Sequence, residues 1–316
     1  SSDVCSSDLL CVAGIEIFSF CFLLPTLSGS AVLALILGAL FLTLFSYLVL
    51  LFYFQAKKPE QLNELLDRFI SSCRTSLGIP IGVSLHHLSV AETLLKLSQY
   101  LADYEWRLIK IPDFFAPLSR LISRLSAYFY WHDVFSFKQL LLQAAIEEHL
   151  NQVRLTPTDL EVHASLANAY VALSQVFKEP KGFGDLHPRF NFYRKHAALF
   201  EEKGKFFATL AIEEFQILNH YAPNDPWIHE QLASGYRELD LPQEEIREVE
   251  LLLKLRPNDR EILLRLGALY FQQGLNAKGL QVYEELKKAN FKKAEDLILN
   301  YGRSAPSRQG LSQIFS

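Results

Sequence analysis

The sequence predicts an all-α protein in two parts: a transmembrane helical hairpin, then a cytoplasmic domain of paired helices. Three observations predict it. Residues 31–54, AVLALILGALFLTLFSYLVLLFYF, run for 24 positions without a charge, more than the about 20 residues that span a bilayer. Further on, apolar residues recur at helical spacing, as at Leu62, Leu65, Leu66, Phe69 and Ile70. Between Leu141 and Tyr283 the chain repeats itself.

The repeat is carried by three aligned segments: Ala145-Ile146-Glu147-Glu148, Ala211-Ile212-Glu213-Glu214 and Glu245-Ile246-Arg247-Glu248. Each is followed at one fixed distance by a proline and an aspartate: Pro157 with Asp159, Pro223 with Asp225, Pro257 with Asp259. A tyrosine stands 13 residues past each proline, at Tyr170, Tyr236 and Tyr270, so the spacings are 66 and 34. A period of 34 residues is one helix–turn–helix unit of a solenoid.

These residues resemble the tetratricopeptide repeat (TPR) family. Its first-helix pattern reads here as Leu263-x2-Leu266-Gly267-x2-Tyr270, Leu232-Ala233-x2-Tyr236 and Leu166-Ala167-x2-Tyr170. Its second-helix pattern reads as Ala211, Phe215 and Pro223, and in part as Gly279 and Tyr283. The family's tryptophan is replaced by His163, His229 and Leu263. Two regular units are expected at 226–259 and 260–293, with a degenerate pair before them. The resemblance implies a TPR solenoid whose concave groove is lined by first helices. That lining would include Ala164, Asn168, Trp227, Glu230, Ser234, Arg237, Leu264, Ala268 and Phe271. A Lys–Asn carboxylate clamp, used by one subgroup, is not matched, since Ala164 precedes Asn168 and Glu261 would oppose a carboxylate. Trp227, Leu264 and Phe271 instead imply a protein partner or amphipathic peptide in the groove.

From the start of the chain, residues 1–9 read as a translated sequencing adapter and are excluded from fold reasoning. The chain contains no Met, and a missing N-terminus is expected. Leu10 to Leu24 is a second apolar run, broken only by Glu16, and Pro25 to Ser30 forms a tight connection. The expected spans are 10–25 and 31–54, contacting the lipid bilayer through 10–54. Glu16 admits an intramembrane functional role or a packing role. Lys57, Lys58, Arg68 and Arg74 follow the second span, and the short loop has no basic residue. The positive-inside rule therefore places the C-terminal domain in the cytoplasm, at the inner membrane of a bacterium.

Residues 56–132 are expected to form a helical linker domain with a degenerate repeat, and 133–301 the TPR-like repeats and a cap helix. A helix should open at Pro59 and run through 59–78. Another is expected from Leu88 to Lys110. A third, over 117–131, should put Leu118, Leu121, Ile122, Leu125 and Phe129 on a core face. Its alternative is a lipid-surface helix with Arg120 and Arg124. The helix of 137–154 reads as the second half of a repeat whose first half is 118–133. Residues 177–190, with two prolines and two glycines, read as an inserted loop. Helices over 191–203 and 205–220 follow it. Phe291 to Tyr301 reads as a cap helix with Lys292, Lys293, Glu295 and Asp296 outward, and 302–316 as a disordered tail.

Net charge is −4, almost all of it from Asp3, Asp8 and Glu16, so no basic stripe marks a nucleic-acid binder. Cysteines lack paired metal spacing. His86-His87 point about 100° apart on a helix, and Glu148-His149 is not a two-imidazole zinc motif. His163 and His229 read as packing residues; His187 and His196 flank the inserted loop. The Glu147/Glu148 and Glu213/Glu214 pairs read as a solvated face. No nucleophile elbow, kinase set or dinucleotide loop occurs. The expectation is a non-catalytic membrane-anchored scaffold or adaptor with no cofactor, no metal and no nucleic acid. The alternatives are an assembly factor or enzyme whose catalytic part lies in a missing N-terminal region, and a membrane-surface sensor using 111–136.

Overall fold

The computed structural model describes residues 31–106, 119–178 and 188–299, together with Phe18, Leu108 and Tyr301. The expectations for 1–9, for the span 10–25 with Glu16, and for the tail 302–316 therefore lie outside the described residues, apart from a helical Phe18. The regular elements are helices throughout: α1 (Ala31–Leu77), α2 (Ser84–Tyr100), a 3-10 turn (Tyr104–Trp106), α3 (Ser119–Leu155), α4 (Leu160–Val176) and α5 (Pro188–Lys195). They continue with α6 (Ala197–Tyr221), α7 (Pro226–Glu238), α8 (Pro242–Leu255), α9 (Arg260–Gln272), α10 (Asn276–Lys288) and α11 (Ala294–Ile298).

The chain divides into two compact units, 1–72 and 73–316. Beyond Phe18, the described part of the first is residues 31–72 of α1. From Leu37 onward α1 is long and apolar enough to cross a membrane, and its apolar window is not buried. Leu35, Phe41, Leu42, Phe45 and Phe52 are all exposed. In water that array of side chains would carry a hydrophobic penalty of about 25 cal/mol for each Å². The expected second helix at Pro59 does not start there, because α1 runs through it. Pro59 forgoes one main-chain hydrogen bond, yet strong helix formers on both sides (Gln55-Ala56-Lys57-Lys58 and Glu60-Gln61-Leu62) carry the helix across.

In the second unit α2 packs along α3, α4 along α6, α7 along α8, and α9 along α10; α3 meets α4, α6 meets α7, and α8 meets α9. The first half paired with 137–154 is therefore α2, not the expected 118–133. Residues 119–155 form one helix because no proline or glycine interrupts them. Leu121 and Phe129, expected in the core, are exposed, and Ser126, Ala127 and Val134 are buried instead. The inserted loop is shorter than 177–190: Phe177 caps α4, and α5 already begins at Pro188. The helices expected at 191–203 and 205–220 instead break at His196, which separates α5 from α6. The expected helix at 88–110 begins earlier, at Ser84, and ends at Tyr100. The cap helix is confined to α11, with Lys292, Lys293, Glu295 and Asp296 exposed.

The repeated Pro-x-Asp has a physical reason. Asp159, Asp225 and Asp259 are N-caps of α4, α7 and α9, and their carboxylates accept from the backbone N–H of Glu161, Trp227 and Glu261 at 3.0, 2.9 and 3.0 Å. The turns within the last two pairs also match. Asp240 and Gly274 both adopt positive φ, 56° and 72°. The next amide then closes onto a tyrosine carbonyl, Leu241 to Tyr236 at 2.9 Å and Leu275 to Tyr270 at 2.8 Å. Close helix approach rests on small residues. A Cβ on Gly267 would stand 2.7 Å from Val282 Cγ1, and one on Gly279 would stand 2.5 Å from the Phe271 ring.

Candidate partner-binding face

Each first helix in the last three pairs is started by its aspartate cap, which fixes where its side chains point. On α7 the residues Trp227, Glu230, Ser234 and Arg237 are all exposed. Their spacing of three and four residues places them on one stripe. Trp227 is 38% exposed and meets Phe215 edge-on, with ring centroids 5.6 Å apart. Asn168 is exposed on α4, and Ala164, Leu264 and Ala268 are half-buried.

Phe271 corrects the expected lining. It is fully buried, lying over Gly279 and edge-on to Tyr301 at 5.6 Å between centroids. The absence of a side chain at Gly279 opens a slot between α9 and α10 that a phenyl ring fills, so Phe271 belongs to the core. Tyr236 is half-buried against the core, and its hydroxyl accepts from Gln216 Nε2 at 3.1 Å.

A charged bridge fixes the stripe's lower edge. Glu245, on the first turn of α8, is 3% exposed. Its Oε1 accepts from Arg237 Nε at 2.8 Å and from Arg265 Nη2 at 3.1 Å, and Arg265 Nη1 donates to Glu230 Oε1 at 3.4 Å. One carboxylate thus joins α7, α8 and α9. Two guanidinium partners offset the desolvation that a lone buried carboxylate would suffer.

The acidic pairs expected on a solvated face are divided by the structure. Glu147 and Glu213 are exposed, whereas Glu148 is buried and Glu214 is half-buried. The second glutamate of each segment reaches a histidine on its partner helix. His87 Nδ1 lies 2.6 Å from Glu148, His163 Nδ1 lies 2.6 Å from Glu214, and His229 Nδ1 lies 2.7 Å from Glu248. Three successive helix pairs share one imidazole–carboxylate clamp. In the fourth pair the same places, 34 residues past His229 and Glu248, hold Leu263 and Val282, both buried in one cluster. An apolar pair replaces the polar one, which leaves no unmatched group behind. Glu148 also accepts from Arg74 at 2.7 Å.

His163 Nε2 additionally faces the Pro157 carbonyl at 3.0 Å, and His229 Nε2 faces that of Pro223 at 2.9 Å. Burial pulls the His163 pKa down, but the Pro157 carbonyl and the Glu214 carboxylate outweigh it and raise the pKa above its ordinary value. His149, fully buried beside Gln152, shifts the other way because burial disfavours its charged form.

The sequence shows the His86-His87 pair but not the clamp role of His87, which stands before Val90-Ala91-x2-Leu94 as His163 stands before Leu166-Ala167-x2-Tyr170. The available signal was Ala91 four residues on, the small residue that Ala167 and Ala233 supply in the later pairs. The missing tyrosine hid it.

Among the described residues no cluster of His, Cys, Asp and Glu could hold a metal. A cleft of about 410 Å³ lies between α2, α3 and α4, lined in part by Gln99, Asp103, Trp131, Phe135, Lys138 and Gln175. A smaller one of about 140 Å³ has its cations already matched, Lys178 to Glu238 at 2.6 Å and Lys205 to Asp240 at 3.1 Å. No family model matches the chain, and no curated protein matches it.

Proposed function

We propose that this chain is a membrane-anchored, TPR-type scaffold that holds a protein or amphipathic peptide against the first-helix faces of α4 and α7. In this reading α1 is one span of a helical hairpin, and Lys57, Lys58, Arg68 and Arg74 keep the helical domain on the cytoplasmic side. The work is non-catalytic. The observation that carries the proposal is the α7 stripe: Trp227 stays exposed at 38% although an apolar core lies next to it, and Glu230, Ser234 and Arg237 share its face. Aromatic residues flanked by polar ones are the usual anchors of a binding site. Phe271 has no part in it. The test is a photo-crosslinking side chain placed at Ser234 in native membranes. A discrete adduct that disappears with Trp227→Ala supports the proposal. Equal labelling with and without Trp227 contradicts it.

A second reading, contact of α3 with the lipid surface, draws on exposed Leu121, Tyr128 and Phe129 beside exposed Arg120 and Arg124. A spin label at Phe129→Cys would then collide with lipid-soluble oxygen more than with an aqueous relaxant. The reverse order rejects this reading.

A further inference from the structure

The face of α6 turned away from the core carries an apolar stripe, most of it exposed. Phe200, Ala208, Ala211, Ile212, Phe215 and Leu218 face inward. On the outer side Leu199, Phe206 and Ile217 are exposed at 46%, 58% and 37%, and Leu210, at the stripe's edge, is half-buried with part of its side chain on the core. Lys203 and Glu213 are exposed within the same stripe. The order 199, 203, 206, 210, 213, 217 alternates steps of four and three, the spacing of a coiled-coil seam. From Leu199 to Ile217 the seam runs about 27 Å at 1.5 Å per residue.

The stripe is its own complement when reversed. Leu199 and Ile217 lie nine residues either side of Ala208, Lys203 and Glu213 five, Phe206 and Leu210 two. An antiparallel second copy therefore sets Leu199 on Ile217, Phe206 on Leu210, and Lys203 on Glu213. A parallel copy would oppose lysine to lysine and glutamate to glutamate. Among the described residues neither charge is matched by an opposite one. Among the described residues Lys203 rests 5.7 Å from the Phe177 ring centroid and meets no carboxylate, and Glu213 makes no hydrogen bond or ion pair.

We infer that the protein forms a two-fold dimer through α6, with Lys203 and Glu213 of the two copies paired across an isologous seam. The charges set the direction, since a like-charge layer repels and an opposite-charge layer attracts.

The test uses the full chain in nanodiscs with Cys5, Cys11, Cys21 and Cys73 changed to Ser, and reads disulfide trapping, which reports this seam and not contacts of α1. Leu199→Cys chains mixed with Ile217→Cys chains should give a mixed disulfide, and Leu199→Cys chains alone should give none. Lys203→Glu or Glu213→Lys should each weaken trapping by about tenfold or more. The two together should restore it, which a merely unfolded variant cannot do. Trapping of Leu199→Cys with itself, loss of trapping that the double exchange fails to restore, or a chain that stays monomeric would each overturn the inference.

Discussion

His163 sits where two oxygens, one from Glu214 and one from Pro157, face its two ring nitrogens. Both contacts are donated only by the protonated ring. Its folded pKa is raised, so the folded state binds the extra proton more tightly than the unfolded state. That stabilisation is complete below the ordinary histidine value of about 6.5 and is lost as pH rises through the folded value. His149 works in the opposite sense. Its folded pKa is lowered, so stability falls as pH drops below about 6.5, where the unfolded chain takes up a proton that the buried ring refuses. Chemical denaturation of the full chain across pH should therefore show two falling limbs. His163→Gln should flatten the alkaline limb and His149→Gln the acid one. An alkaline limb unchanged by His163→Gln contradicts this assignment. At Gly279, alanine would drive a methyl to 2.5 Å from the Phe271 ring. Such overpacking should lower stability by about 1–3 kcal/mol, read by urea titration, whereas no loss would mean that the slot is looser than it looks.

Among the elements, the paired helices of 133–301 were largely legible, and their punctuation explains why. Asp159, Asp225 and Asp259 follow prolines and cap helices, so their starts are written locally. Replacing Asp225 with Ala should cost about 1 kcal/mol and shift the melting midpoint; an unchanged midpoint would show that the Trp227 amide finds another acceptor. What stayed hidden depended on distant neighbours. Adjacent glutamates look alike in sequence, and only the facing His87 or His163 separates buried Glu148 from exposed Glu147, or half-buried Glu214 from exposed Glu213. The partner of α3 was misplaced because α2 lacks the repeat's tyrosine, with Leu94 in its place. Pro59-Glu60 carries the local signature of a helix start, yet Pro59 lies inside α1. Of the face residues, Trp227, Glu230, Ser234 and Arg237 came from the facing pattern that the TPR resemblance implies, whereas the fate of Phe271 was decided by Gly279 on another helix.

At the scale of the whole molecule, the chain carries an apolar α1 and, after it in sequence, a unit of packed helix pairs. A helix of this length and apolarity, with basic residues after residue 56 and none before it, predicts one orientation. A cysteine placed at exposed Ser71 should resist membrane-impermeant reagents in intact cells and react after lysis. Ready reaction in intact cells would reverse the topology. The central claim is that the α7 face binds a partner and is not needed for folding. The most direct measurement compares Trp227→Ala and Phe271→Ala for melting temperature and for partner recovered from native membranes. Trp227→Ala should leave melting nearly unchanged and weaken binding by about 2 kcal/mol, or about thirtyfold. Phe271→Ala should cost about 3–5 kcal/mol of stability, with recovery falling only in step with the folded fraction. If Trp227→Ala lowers melting as Phe271→Ala does, and recovery merely tracks folding, the Trp227–Phe215 contact is packing and the binding face is contradicted.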